Sequence, residues 1–367
     1  MIAPLLMTPG PTRVPERVLR AGGRPMIHHR TPEFAKELAT VLELMPPLFG
    51  TSQPTLPVHA TGRGALEATI CNLFSAGDEL AVCCNGKFGE MWAGFAESYG
   101  LVVHRIETDW EQSVNAAAVE AFLAEHPRVK AVAMTYADSS TGVANDVAAV
   151  ARVADARGVL TMVDGVSSIG GMPFELDAWC VDVAVTASQK CLMSSPGMSF
   201  VAMSERAWRS AASARLPRNY WNFSAIRSEI SKARPETPGT TPVHLVLQVA
   251  EALRMIHEEG LADVLARHRQ MAEQTRAAAS ALGLSLQCPG LTQRATTLTA
   301  LTLPSGVSPA DVRGALKAQG ILTAAGLGPY QATAFRIGHM GDIRPRDIER
   351  TLTALADALA PQQAGAT

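Results

Sequence analysis

The sequence predicts an α/β protein in which a mostly parallel, seven-stranded sheet is covered by helices on both faces and followed by a smaller α+β domain. Three observations predict it. Between about residues 30 and 205, short β-rich runs alternate with helical patterns at the spacing of βαβ units. After the polar, proline-dotted stretch Arg234 to Pro242, the pattern changes to long helices and a few strands. The chain has 367 residues, 47% of them hydrophobic, enough for two domains around large apolar cores.

The elements are expected in the following order. An N-terminal arm spans residues 1–13, a large domain 14–242 and a small C-terminal domain 243–367. Strands of the large domain are expected at Leu56–His59, Glu79–Cys84, Val102–Ile106, Ala131–Thr135, Leu160–Val163, Val181–Thr186 and Met198–Ala202. Helices are expected at Arg63–Phe74, Glu90–Tyr99, Ala116–Ala124 and Val147–Arg157. The small domain begins with helices Val243–Glu258 and Ala262–Ala281. It continues with strands Thr297–Leu303, Ile321–Ala324 and Ala334–Ile337 and helices Pro309–Gln319 and Arg346–Ala360, and ends in a loose tail, Gln362–Thr367.

Composition narrows the function. Thirty-two basic and 34 acidic residues are mixed along the chain without a run of like charge, which disfavours nucleic acid or a membrane surface as partner and favours a small molecule. The six cysteines show no C-x-x-C spacing, which fits a reduced, cytoplasmic protein. Cys83 and Cys84 should face opposite sides of a strand and so make poor joint metal ligands. Met1 to Pro11 lacks a basic start and a sufficient apolar run for a signal peptide, and no stretch reaches the ~20 apolar residues of a membrane span. The last residues also lack a peroxisomal Ser-Lys-Leu-type end.

Lysine is scarce, six residues against 26 arginines, and only Lys87 and Lys190 lie in small-residue loops beside expected strands. Lys190 ends the run Val185-Thr-Ala-Ser-Gln-Lys190, just past the carboxyl end of a strand. Partial desolvation there lowers an amine's pKa and makes it a nucleophile and a base. Asp164 stands at a second strand end, where open α/β sheets bind ligands and where a carboxylate can keep a pyridinium nitrogen protonated. Thr61-Gly62-Arg63-Gly64 joins a third strand to a helix. Its free N–H groups and hydroxyl suit a phosphate, while Thr61 as a simple N-cap fits equally. The run is no dinucleotide fingerprint, because Glu67 occupies the place of its third small residue. Phe88, in Asn85-Gly-Lys-Phe-Gly89, could stack on a flat heteroaromatic ring or simply pack in the core.

Together these residues resemble the class V aminotransferases of fold type I, in particular the alanine/serine–glyoxylate branch. The resemblance rests on motifs in the same order along nearly the whole chain: Thr8-Pro-Gly-Pro11, the run 61–68, Asn85-Gly86, Ser139-Ser-Thr-Gly142, Val163-Asp-Gly-Val-Ser-Ser168, Ser188-Gln-Lys190 with Pro196-Gly197, Ala325-Gly-Leu-Gly-Pro329 and Phe335-Arg-Ile-Gly338. It implies pyridoxal 5'-phosphate as cofactor, held by Lys190 as a Schiff base, with Asp164 on the ring nitrogen and Phe88 on the ring face. It further implies Thr61, Gly62, Arg63 and Gln189 at the phosphate, Ser139 and Val166 lining the ring, and Thr240 reaching the phosphate of a neighbouring subunit in a homodimer with shared sites. Arg336 matches the arginine that clamps the substrate carboxylate, and Gly10 falls in a motif at the substrate. Arg63 departs from the family's histidine, and Thr237 stands where the family has an aromatic residue.

The expected reaction is ping-pong transfer of an amino group from a small amino acid, alanine or serine, to glyoxylate or pyruvate. Transamination of 2-aminoethylphosphonate with pyruvate is the nearest alternative, since Phe335-Arg-Ile-Gly-His-Met-Gly341 and Thr240-Thr-Pro-Val-His244 resemble that branch too. A cysteine desulfurase or lyase would need a mobile thiol in the small domain, where Cys288 is the only cysteine. A non-enzymatic or dinucleotide-binding module would make Lys190, Asp164 and Arg336 coincide by chance. His28, His29 and Arg30 could line a substrate entrance or cap the helix from Thr31.

Overall fold

The computed structural model describes residues 4–290 and 293–364. Its main sheet contains β1 (Thr55–Val58), β2 (Glu79–Cys84), β3 (Val102–Glu107), β4 (Val129–Thr135), β5 (Leu160–Asp164), β6 (Val183–Ala187) and β7 (Ser199–Met203), in the spatial order β1-β7-β6-β5-β4-β2-β3. The neighbours from β6 to β3 pair in parallel, and β7 runs antiparallel to both β6 and β1. One reversed strand therefore leaves β1 pointing with the parallel set. Six of the seven strands share a carboxyl edge.

Alternation builds the two faces of this sheet. Leu80, Val82 and Cys84 enter one apolar cluster with Ala131, Ala133, Val183 and Val185, whereas Ala81, Cys83, Val132 and Met134 enter the other. A sheet buried on both faces needs helices on both, and the apolar runs of its strands reflect that. Cys83 and Cys84 do face opposite ways, as a period of two requires.

The long helix Val243–Glu259 lies against two helices near the N-terminus, Glu16–Gly22 and Pro32–Leu44. The second of these begins at Thr31, whose hydroxyl accepts from Phe34 N at 3.3 Å. Beyond it, the strands Ala324–Ala325, Ala334–Gly338, Leu298–Thr302 and Ser285–Leu286 form a four-stranded antiparallel sheet in that order. Helices Leu261–Ala281, Pro309–Ala318 and Pro345–Ala364 pack with this sheet and with one another.

Two expectations need correction. The single strand expected over Ile321–Ala324 is split. Ile321–Leu322 pairs in parallel with Leu5–Leu6 of the N-terminal arm, and Ala324–Ala325 pairs with Ala334–Gly338. The arm is therefore a strand partner of the small domain's Ile321–Leu322. At the other end, the helix continues to Ala364 through part of the expected loose tail, whose residues 365–367 lie outside the described ones. No described helix is long and apolar enough to cross a membrane.

Two histidines are buried at the second sheet, and one of them, His268, ties helix Leu261–Ala281 to the chain that leaves that sheet. Gly341 N donates to His268 Nε2 at 3.1 Å, so the ring's proton sits on Nδ1, 2.7 Å from Val264 O. His339 Nε2 lies 2.9 Å from Thr299 Oγ1. Burial lowers their pKa values to about 4 and about 3, so both rings are neutral in the fold. The unfolded chain binds protons on these rings below pH 6.5, which means that acidification costs stability. We expect unfolding free energy to fall by up to ~1.4 kcal/mol per histidine for each pH unit between about 6 and 4. Urea titrations across that range check it, and His268→Gln should flatten the slope.

Candidate active site

Five segments at the carboxyl edge of the main sheet meet at one cavity of about 800 Å³. From the end of β1 come Thr61, Gly62 and Arg63; from the end of β2, Lys87 and Phe88; from β4, Ala137. Asp164 ends β5 and is followed by Val166 and Ser167, and Gln189 and Lys190 follow β6. Residues spread over 130 positions of sequence converge because parallel strands deliver every following loop to the same edge.

Lys190 projects under the N-terminal arm. Its Nζ donates to Pro9 O and lies 3.5 Å from Ser167 Oγ. Thr12 fastens the arm on both sides of this contact, through Thr12 N to Gln189 O at 3.0 Å and Thr12 Oγ1 to Lys190 O at 3.0 Å. Gly10 crosses the lysine stem with a φ of +110°, and a Cβ there would come within 2.5 Å of Lys190 Cδ. Only glycine tolerates both the angle and the approach.

Burial lowers the Lys190 pKa to about 8, against the opposing pull of the Asp164 carboxylate. Burial in turn raises Asp164 to about 6, although a hydrogen bond from Val166 N at 2.9 Å to Oδ1 favours its charged form. The described hydrogen bonds leave Asp164 Oδ2 without a protein donor. An amine that is easily neutral thus shares a cavity with a carboxylate that is easily protonated.

The turn at the end of β1 opens helix Gly62–Leu73. Thr61 takes the N-cap position, but its hydroxyl makes no capping hydrogen bond, which leaves it available to an anion. Gly62 is held against Val166 of the cavity wall, since a Cβ there would sit 2.6 Å from Val166 Cγ2. Gln189 adds a buried amide oxygen with no hydrogen-bond partner. Arg63 is exposed and lies over the Phe95 ring at 5.6 Å.

The other residues singled out from sequence stand apart from this lining. Ser139 is buried behind Ala137, and its carbonyl accepts from Arg336 Nη1, while Arg336 Nε donates to Ala325 O at 2.8 Å. Burial lowers the Arg336 pKa to about 10, opposed by Asp138. Thr240 lies outside the cavity of its own chain, on a separate groove with His28, His29 and His244. Cys288 is 4% exposed, its Sγ 3.8 Å from the carbonyls of Trp110 and Thr141, and burial pushes its thiol up to about 12. That is no mobile nucleophile.

Sequence reasoning did not single out Ser167, the carbonyl of Pro9 or Asp138. Ser167 stood inside a quoted motif, so the signal was present. A backbone carbonyl carries no signal in sequence at all.

The model of the family described as Aminotransferase class-V matches residues 6–344. A protein of Synechococcus sp. named soluble hydrogenase, small subunit, is 38% identical over 97% of this chain and 93% of its own. The L-aspartate–glyoxylate aminotransferase of Paracoccus denitrificans is 36% identical over 92% of this chain and 86% of its own. Among solved structures, alanine–glyoxylate aminotransferase from Nostoc sp. superposes with a TM-score of 0.92 at 31% identity, covering 98% of this chain and 96% of that one.

The arm contact yields a direct test. Gly10→Ala should destabilise the fold by ~1–3 kcal/mol through the blocked approach to Lys190 and the positive φ. The urea unfolding midpoint of the variant measures this.

Proposed function

The chain belongs to the class-V aminotransferases, a family dependent on pyridoxal 5'-phosphate, and we propose that it moves an amino group from a small amino acid, alanine or serine, to glyoxylate or pyruvate. The observation that carries this reading is the shared cavity of a desolvated Lys190, Asp164 and an uncapped helix start at Thr61 and Gly62.

The residues fit the cofactor. Thr61 and the N–H groups that open helix Gly62–Leu73, with Arg63 and the Gln189 side-chain N–H, would hold its phosphate. Phe88 and Val166 would bound the ring, with Ser139 behind, and Asp164 Oδ2 would keep the ring nitrogen protonated. When bound, the cofactor supplies an aldehyde that carries the amino group and a ring that takes up the electron pair released at Cα.

The remaining work falls to the chain. With the cofactor bound, Lys190 Nζ would be the amine that holds its aldehyde, and the same nitrogen would move the proton between the substrate Cα and the cofactor carbon. Its low pKa serves both tasks, since a neutral amine is needed for each. Arg336 would bind the substrate carboxylate through its planar fork of donors. The Pro9–Gly10 backbone bounds Lys190 on the side facing the arm and keeps water from it. One substrate enters as the product of the other has left, so double-reciprocal plots should be parallel. Thr240, outside the cavity of its own chain, supports a homodimer in which each protomer completes the site of the other.

Two measurements test this. Lys190→Ala should lower turnover of alanine or serine with glyoxylate by at least ~100-fold, and a panel adding aspartate and 2-aminoethylphosphonate as donors, with pyruvate as second acceptor, would assign the preference. Wild-type turnover in Lys190→Ala would overturn the assignment. In the apoprotein, the rate of pyridoxal phosphate capture should rise with pH to a plateau with its midpoint near 8, where the neutral form of Lys190 takes over. Stopped-flow absorbance across pH 6 to 10 reads the midpoint. A midpoint near the ordinary lysine value would contradict the desolvated amine.

A further inference from the structure

We propose that Asp138 is a positioning residue of this site, whose carboxylate sets the Phe88 ring and, through Ser139, the guanidinium of Arg336. The inference rests on the reading of the cavity given above.

Asp138 follows β4 in a tight turn. Thr141 N and Gly142 N donate to its carbonyl at 3.3 and 2.8 Å, and Asp138 N donates to Val143 O at 3.0 Å. The side chain is fully buried. A buried carboxylate needs donors on both oxygens, and here they come from two different segments. Oδ1 accepts from Ser140 N at 2.8 Å and from Ser140 Oγ, which closes its own turn. Oδ2 accepts from Phe88 N at 3.2 Å, in the first turn of helix Lys87–Ser98.

That helix has glycine, Gly86, at its N-cap and no side-chain cap of its own. Asp138 supplies the missing acceptor from another loop, and its charge suits the positive end of the helix. Gly86 is fitted to this contact, because a Cβ there would overlap Asp138 Oδ2. Ser140 Oγ extends the grip by accepting from Lys87 N at 3.3 Å.

The same carboxylate is linked to Arg336. Arg336 donates to Ser139 O, the carbonyl of the Ser139–Ser140 peptide whose N–H donates to Asp138 Oδ1, and the two charges attract each other. A single buried group thus links the residue proposed to lie on the ring face with the residue proposed to bind the substrate carboxylate. Losing it should loosen both together.

Asp138→Asn keeps the volume but offers an amide N–H to one of the donors it must satisfy. Gly86→Ala presses on the same contact from the opposite side. Holoenzyme of each variant is compared with wild type for the circular dichroism of the cofactor's visible band near ~420 nm, for the dissociation constant of pyridoxal phosphate, and for the KM and kcat of the amino donor. We expect both variants to lose at least half of the dichroism, to bind the cofactor at least ~5-fold more weakly and to raise KM ~10-fold, with kcat less affected. Folded protein that keeps wild-type dichroism, cofactor affinity and KM in either variant would overturn the inference and leave Asp138 a purely structural turn residue. If Asp138→Asn does not fold, Gly86→Ala decides alone. A wild-type protein that forms no visible band with pyridoxal phosphate would overturn the reading of the cavity, and this inference with it.

Discussion

Burial of the Lys190 amine governs the rest of the site. Removing an ammonium from water is costly, so burial drives Lys190 towards its neutral form, with a pKa of about 8, while Asp164 pulls the other way. The arm sustains the balance. The carbonyl of Pro9 gives the amine an acceptor, and Gly10 lets the chain pass close enough to exclude water. An amine poised near neutrality can switch between nucleophile and proton carrier at modest energetic cost.

The fold explains why such a group can be held so firmly. Parallel pairing from β6 to β3 delivers the loops of β2, β4, β5 and β6 to one edge, and the reversal of β7 brings β1 to the same edge. The arm forms a two-stranded sheet of its own beside the second sheet. Leu5–Leu6 pairs with Ile321–Leu322 and Gly338 N donates to Met7 O at 2.8 Å, so the strand that carries Arg336 and the chain that covers Lys190 are fastened together. Movement of the second sheet relative to the first would therefore be felt at the lysine.

Much of this was legible in the sequence. The strand ends at Asp164, Lys190 and Thr61 follow from short apolar runs closed by small residues, and the cavity gathers these together with Phe88, Val166 and Gln189. The split of Ile321–Ala324 was not legible, because one apolar run cannot reveal that its two halves have different partners. Helices such as Glu205–Ser213 and Phe223–Ile230 also escaped, because nine and eight residues hold barely two turns in which to show a pattern. Asp138 stood in plain view beside a quoted motif. Its meaning lies in a hydrogen bond to Phe88 N across 50 residues, and only the folded chain displays it.

The most direct measurement of the central claim is chemical. The protein is loaded with pyridoxal phosphate, reduced with borohydride and digested, and the modified peptide is sequenced by mass spectrometry. A single pyridoxyl group on Lys190, with the other five lysines unmodified, is the predicted result. Modification of Lys87 or another lysine in its place, or no stable modification at all, would contradict the account.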